Sequence, residues 1–138
     1  MPTSEQIELT GGCLCGGVRY RLAKPSRVHY CHCGMCRRAT GSAFAVLAWV
    51  KIGELHWTGR VMPQERRSSP IARRSFCPEC GTPMTLQYDK HPREIAVHAG
   101  TLDCPETFPP TSHYGVESRL SWAMCGDGLP EDETLEHW

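Results

Sequence analysis

The stretch FCPECGTP, residues 76–83, decides the fold of this chain. Its two cysteines, Cys77 and Cys80, are separated by two residues, and the turn between them can bring both sulfur atoms together. Gly81 can adopt a positive φ, which points backbone N–H groups toward the sulfurs. A redox-active pair with this spacing would need a β-α-β setting, which the surrounding sequence lacks. The stretch therefore predicts one half of a zinc site.

The stretch GGCLCGG at residues 11–17 supplies the other half. Its two cysteines are two residues apart in a segment that leads into a predicted strand, and alternate residues of an extended chain point to the same face. A tetrahedral zinc ion accepts four thiolates, and such a closed site is structural. We therefore predict a structural zinc site formed by Cys13, Cys15, Cys77 and Cys80.

A third cysteine group lies between these two, in YCHCGMCRRATGSAF at residues 30–44. Cys31, Cys33 and Cys36 combine both spacings, so that three thiolates can converge on one ion. We expect His32 to point away, because it stands between two inward-facing cysteines. Three protein ligands with a vacant fourth position are the arrangement of catalytic zinc. We therefore predict a second, catalytic zinc site at these three cysteines.

Two alternatives remain open for this second group. A distant residue such as His113, Cys104 or Cys125 could complete the site, which would then be structural. The three cysteines could also be metal-free, and two of them would then form a disulfide in air.

The composition predicts one domain over residues 1–138, with a core at about 11–130 and an acidic tail at 131–138. No stretch approaches the roughly 20 apolar residues of a membrane helix, and the first residues do not resemble a secretion signal. The nine cysteines are odd in number and closely spaced, which favours metal binding in a reducing compartment over a disulfide framework. We therefore expect a cytoplasmic protein.

Charge indicates which partners to expect. The formal net charge is zero, from 15 Lys and Arg against 15 Asp and Glu, which argues against nucleic-acid and membrane partners. The first 75 residues carry 12 basic and 4 acidic side chains, so a basic rim could attract a small anion. We expect a monomer or a homodimer with a small-molecule partner.

The 13 glycines and 11 prolines are spread along the chain and leave little room for helices. The apolar residues recur mostly at every second position, as in strands. We predict a mainly antiparallel β fold with long loops and little helix. The predicted segments are strands at 18–22, 44–50, 73–76, 85–88, 94–99 and 113–117, a helical turn at 35–39, and an exposed loop at 60–70.

The sequence resembles the glutathione-dependent formaldehyde-activating enzyme family, which also includes centromere protein V. The resemblance rests on GGCLCGGVRY, CHCGMCRRATGSAF and FCPECGTPM, together with Trp122 and the DGLP of residues 127–130. It implies an antiparallel β-tent zinc-binding fold with one structural and one second zinc, on the cysteines named above. It also implies a carbon-sulfur lyase that joins formaldehyde to the thiol of glutathione, as S-hydroxymethylglutathione synthase does.

Glutathione carries two carboxylates, which guanidinium groups recognise well. Arg37 and Arg38 directly follow the open site and are the predicted thiol-binding residues, with Arg73 and Arg74 as further candidates. Two other function classes stay open: a non-catalytic zinc module for protein association, and a thiol redox sensor that uses the three clustered cysteines.

Overall fold

The computed structural model describes residues 8–125 and 128–136, and the fold of these residues is mainly β, as predicted. Eleven strands form two sheets beside one α-helix among the described residues. Asp127 of the DGLP motif, and His137 and Trp138 of the predicted tail, lie outside the described residues. The elements are β1 (Leu9–Gly12), β2 (Arg19–Leu22), β3 (Arg27–Cys31), α1 (Gly34–Thr40), β4 (Ala45–Lys51), β5 (Leu55–Trp57), β6 (Gln64–Ser69), β7 (Ala72–Phe76), β8 (Pro83–Tyr88), β9 (Glu94–His98), β10 (His113–Tyr114) and β11 (Glu131–Asp132).

The two sheets differ in size. The small sheet has three antiparallel strands in the order β1-β2-β5, and the large sheet has eight in the order β11-β10-β3-β4-β9-β8-β7-β6. Pairing between the described strands is antiparallel except at β10, which pairs in parallel with both β3 and β11. The antiparallel prediction therefore holds for all but the short strands at one edge of the large sheet.

Strand β10 is shorter than the strand that we predicted at residues 113–117. It ends at Tyr114, because Gly115 has a φ of +72° and turns the chain. A Cβ atom at Gly115 would lie 3.0 Å from the backbone nitrogen of Cys33, so this close approach also favours glycine.

The prediction of an exposed loop at residues 60–70 is wrong in part. Residues Gln64–Ser69 form β6, the edge strand that pairs with β7. Polar side chains occupy both faces of this strand, so its sequence carries no alternation of apolar and polar residues. Charged edge strands of this kind protect a sheet from pairing with other chains.

Alternate residues of the large sheet face two separate apolar clusters. On β4, Ala48 and Val50 pack against Val97 and the small sheet, in the cluster that also holds Cys13 and Cys77. Leu47 and Trp49 point to the other side, where helix α1 covers the sheet. The period-two side-chain pattern of strands therefore places the two predicted zinc sites on opposite faces of one sheet.

The C-terminal segment is attached to the large sheet. β11 pairs with β10, the Tyr114 hydroxyl donates a hydrogen bond to Glu136, and the Leu135 N–H donates to that hydroxyl at 2.8 Å. Trp122, in contrast, is 70% exposed and anchors no core. The described residues contain no helix with the length and apolar character needed to cross a membrane.

Candidate active site

The first cysteine cluster joins two loops at the ends of strands. Cys13 and Cys15 lie between β1 and β2, whereas Cys77 and Cys80 lie between β7 and β8. All four Sγ atoms lie within 4.8 Å of one another. The Sγ atom of Cys15 is 3.4 Å from that of Cys13 and 3.8 Å from that of Cys77. The structure thus brings together the four residues that the sequence predicts.

Thr82 ties the two loops to each other. Its hydroxyl accepts a hydrogen bond from the Leu14 N–H at 3.1 Å and lies 3.1 Å from the Cys80 sulfur. Hydrogen bonding by the side chain and then the backbone of Thr82 lowers the pKa of Cys80 to about 5. Gly81 has a φ of +80°, as the sequence predicts, and its N–H donates to the carbonyl of Cys77 at 2.8 Å.

The donor set of this cluster fits zinc. Four thiolates at about 2.3 Å from a tetrahedral zinc would lie roughly 3.8 Å from one another, close to the spacing observed here. Soft thiolate donors favour zinc over magnesium or calcium. The cluster could therefore hold a metal ion, with zinc as the chemically matching choice.

The second cluster is built where β3 leads into α1. Cys31 ends the strand, Cys33 caps the helix, and the Cys33 sulfur accepts a hydrogen bond from the Cys36 N–H at 3.3 Å. The three Sγ atoms lie within 4.8 Å of one another, and those of Cys31 and Cys33 are 3.5 Å apart. All three side chains are buried. This cluster too could hold a metal ion with thiolate ligands.

Negative charge in the second cluster concentrates on Cys33. Hydrogen bonds from the Cys31 and Cys36 thiols, together with the nearby charge of Arg74, lower the pKa of Cys33 to about 3. Hydrogen bonding to Cys33 raises the pKa of Cys31 in turn. The cluster therefore holds one thiolate readily, as a ligand set for a cation requires.

No fourth ligand atom joins the second cluster within residues 8–125 and 128–136. His32 points away, as predicted, and its Nε2 lies 2.8 Å from Nδ1 of His113. Cys104 and Cys125 are exposed and belong to neither cluster. In the described part of the chain, none of the residues that could have closed the site does so.

The predicted thiol-binding arginines lie at different depths around the second cluster. Arg37 donates a hydrogen bond to the carbonyl of Ser118 at 3.5 Å, and Arg38 is exposed. Arg74 instead is 5% exposed, and its Nη2 donates to the Cys36 sulfur at 3.5 Å. Arg74 was one of the further candidates in the sequence, and it occupies an inward position of β7 on the same strand face as Ala72.

A cavity of about 470 Å³ adjoins the second cluster. Four of its lining residues, Leu47, Trp49, Tyr88 and Tyr114, pack in the same apolar cluster as the three cysteines. Its lining is otherwise rich in carboxylates, which come from Glu94, Asp132, Glu133 and Glu136. The cavity combines an aromatic floor with an acidic rim.

His29 in this cavity is held neutral. The Trp49 indole N–H donates to Nε2 of His29 at 2.8 Å, and Nδ1 therefore carries the proton that is donated to the Tyr30 carbonyl at 3.1 Å. Burial lowers the pKa of His29 to about 4. Since both ring nitrogens are occupied, this imidazole positions Trp49 and does not act as a free base.

His98 should make stability depend on pH. Burial, followed by the charge of Arg74, lowers its pKa from 6.5 to about 4. Its stabilising contribution is complete above pH 6.5 and is lost as the pH falls toward 4, since the unfolded chain takes up the proton first. We expect His98→Gln to reduce the loss of unfolding free energy between pH 7 and pH 5 by roughly 2 kcal/mol in urea titrations.

Exposed His56 provides the matched control, and His56→Gln should leave this pH dependence unchanged. Loss of bound metal at low pH should affect both variants equally, so the difference between them isolates His98. Equal pH dependence in the two variants would contradict the assignment.

Three comparisons relate this chain to known proteins. The family model described as glutathione-dependent formaldehyde-activating enzyme matches residues 8–118. A Halomonas elongata protein, provisionally named as such an enzyme, is 26% identical to this chain over an alignment of 148 residues. The alignment covers 94% of this chain and 93% of that protein. A crystal structure of a Rhodobacter sphaeroides protein superposes with a TM-score of 0.54 at 24% identity, and covers 68% of this chain and 87% of that one. The chain therefore belongs to the glutathione-dependent formaldehyde-activating enzyme family.

Proposed function

We propose that this protein is a zinc-dependent carbon-sulfur lyase that joins an aldehyde to glutathione or a related thiol, as an S-hydroxymethylglutathione synthase does. One observation carries the proposal: three buried cysteines converge from a short segment, and no fourth ligand atom joins them among the described residues. The family match supports a thiol and an aldehyde as the reactants. Cys31, Cys33 and Cys36 are the proposed ligands of the catalytic zinc.

The reaction is an addition across a carbonyl group. The thiol sulfur forms a bond to the aldehyde carbon, and the thiol proton ends on the carbonyl oxygen. When bound at the three cysteines, zinc would lower the pKa of a thiol in the fourth position and stabilise the sulfur as a leaving group in reverse.

The chain's own residues hold this site in shape. Arg74 donates to the Cys36 sulfur and offsets the negative charge of the cluster. Trp49 and Leu47 pack against the cysteines and exclude water from one side, which strengthens electrostatic interactions within the site. Cys13, Cys15, Cys77 and Cys80 are the proposed ligands of a structural zinc.

The metal-loaded, reduced protein should accelerate the formation of S-hydroxymethylglutathione from glutathione and formaldehyde. Because the adduct also forms spontaneously, the measurement is the exchange rate above background, followed by NMR. A protein that binds two zinc ions per chain, yet leaves this rate at background with glutathione and with other small thiols, would contradict the proposal.

The redox-sensor alternative makes a different prediction: under peroxide, two of Cys31, Cys33 and Cys36 should form a disulfide and the bound metal should be released, which mass spectrometry before and after oxidation would detect. All nine cysteines are free thiols in the structure, and we propose that the protein works in the cytoplasm, where thiols stay reduced.

A further inference from the structure

At one edge of the large sheet, two arginines of the edge strand β6 lie directly opposite two arginines of its neighbour β7. In the antiparallel pair β6 and β7, Arg66 lies opposite Arg74 and Arg67 lies opposite Arg73. Like charges that are directly opposite on neighbouring strands destabilise a sheet unless an anion compensates them. The two pairs point to opposite faces, since successive residues of a strand alternate.

The pair Arg67 and Arg73 has its compensating charges within the protein. Arg67 pairs with Asp89 at 2.8 Å, and Arg73 pairs with Glu65 at 3.1 Å and with Asp89 at 3.8 Å. These four side chains form a network of alternating sign on one face of the sheet.

The pair Arg66 and Arg74 lacks such charges. Neither arginine, nor Arg38 of helix α1, forms an ion pair with any described carboxylate. The Arg74 side chain is buried, with 5% exposure, and its Nη1 has no hydrogen-bond partner among the described residues. A buried guanidinium nitrogen without a partner is costly, so this atom identifies where a ligand would be stabilised.

Two adjoining cavities open on these guanidinium groups between α1 and the strands β6 and β7. They have volumes of about 250 Å³ and 160 Å³, and both are lined by Ala39, Arg66 and Arg74. Arg38 lines the smaller one. No described Asp or Glu lines either cavity, in contrast to the acidic rim of the large cavity.

We propose that this cleft, formed by Arg38, Arg66 and Arg74, binds a carboxylate of the substrate. The proposal rests on the proposed thiol chemistry and names its substrate class: thiols that carry a carboxylate. The Arg74 guanidinium contacts Cys36 at one nitrogen and has its free Nη1 on the same planar group. A carboxylate bound by this guanidinium would therefore lie close to the sulfur cluster.

The test uses calorimetric titration of the metal-loaded protein, under anaerobic conditions, with mercaptoacetate and with 2-mercaptoethanol. The two thiols are similar in size and differ in the carboxylate. We expect the wild type to prefer mercaptoacetate by about tenfold or more, since a charge-assisted contact contributes that much. Arg66→Gln should remove most of this preference.

Arg67→Gln is the matched control, because Arg67 is the next residue of the same exposed strand but points to the other face. It should retain the preference for mercaptoacetate. Equal affinities for the two thiols in the wild type, or an unchanged preference in Arg66→Gln, would overturn the carboxylate site.

A third ligand separates this proposal from the proposed function. Glycolate has the carboxylate but no thiol, and it should bind the wild type and bind Arg66→Gln several-fold more weakly. Such binding would support the carboxylate site whether or not thiols react. A failure of thiols to react would contradict only the lyase activity. Absence of glycolate binding to the wild type would overturn the carboxylate site and leave the lyase assay to decide the proposed function.

Discussion

Cys80→Ser is expected to unfold the protein or to lower its melting temperature drastically. The first cluster links the loop between β1 and β2 to the loop between β7 and β8, and so connects the small sheet to the large one. Binding of structural zinc contributes about 10 to 16 kcal/mol in zinc-finger peptides, as much as the whole stability of a typical domain, about 5 to 15 kcal/mol. Loss of one of four ligands should therefore remove most of the stability.

Circular dichroism during heating, combined with metal analysis, measures this effect. Cys104→Ser is the matched control, because Cys104 is exposed and belongs to neither cluster. We expect the control to keep its melting temperature and its metal content. A Cys80→Ser protein that melts like the wild type would show that the cluster does not stabilise the fold.

Cys36→Ser should have the opposite profile: it should abolish activity while the fold is retained. The serine hydroxyl is a poor zinc ligand in place of a thiolate, so the variant should bind one zinc ion fewer than the two proposed for the wild type. Removal of a single electrostatic contact at an active site already reduces rates by about a hundredfold or more, and loss of the zinc should therefore bring the exchange rate down to background. Helix α1 should persist, since Cys33 still caps it and Gly41 still donates to Arg37 at 2.9 Å.

Metal stoichiometry and the glutathione-formaldehyde exchange rate, measured on one sample, check this result. Cys125→Ser serves as the control, since it also removes a thiol but one that is exposed and outside both clusters. Full activity of Cys36→Ser would disprove a role of the three-cysteine cluster in catalysis. Joint loss of both metal ions would show that the two clusters are not independent.

The sequence predicted six of the eleven described strands, namely β2, β4, β7, β8, β9 and β10, and missed β1, β3, β5, β6 and β11. Strands β5 and β11 have only three and two residues, too few to show an alternation of apolar and polar residues. Residues 44–50 are strongly apolar, and β4 indeed lies at the centre of the large sheet. β6 escaped detection because an edge strand needs no apolar residue to be paired. The parallel pairing of β10 could not be predicted either, since it depends on the position of a partner strand 83 residues earlier in the chain.

The candidate site could also be predicted only in part from the sequence. Short spacings such as those of Cys31, Cys33 and Cys36 predict convergence, because two or three residues of chain restrict where each sulfur can lie. Arg37 and Arg38 were chosen for proximity in sequence, yet Arg74 reaches the cluster from a strand 38 residues away. Its role depends on strand register, which local sequence patterns do not specify.

The first cluster also constrains when the protein can complete its folding. Cys15 and Cys77 are 62 positions apart, and their sulfurs come within 3.8 Å only after β2 to β7 have been placed between them. On a ribosome, this crosslink has to wait until the second loop has left the exit tunnel. Contacts between such distant parts of a chain slow folding, so the four cysteines of this cluster come together late, after the strands between the two loops have been made.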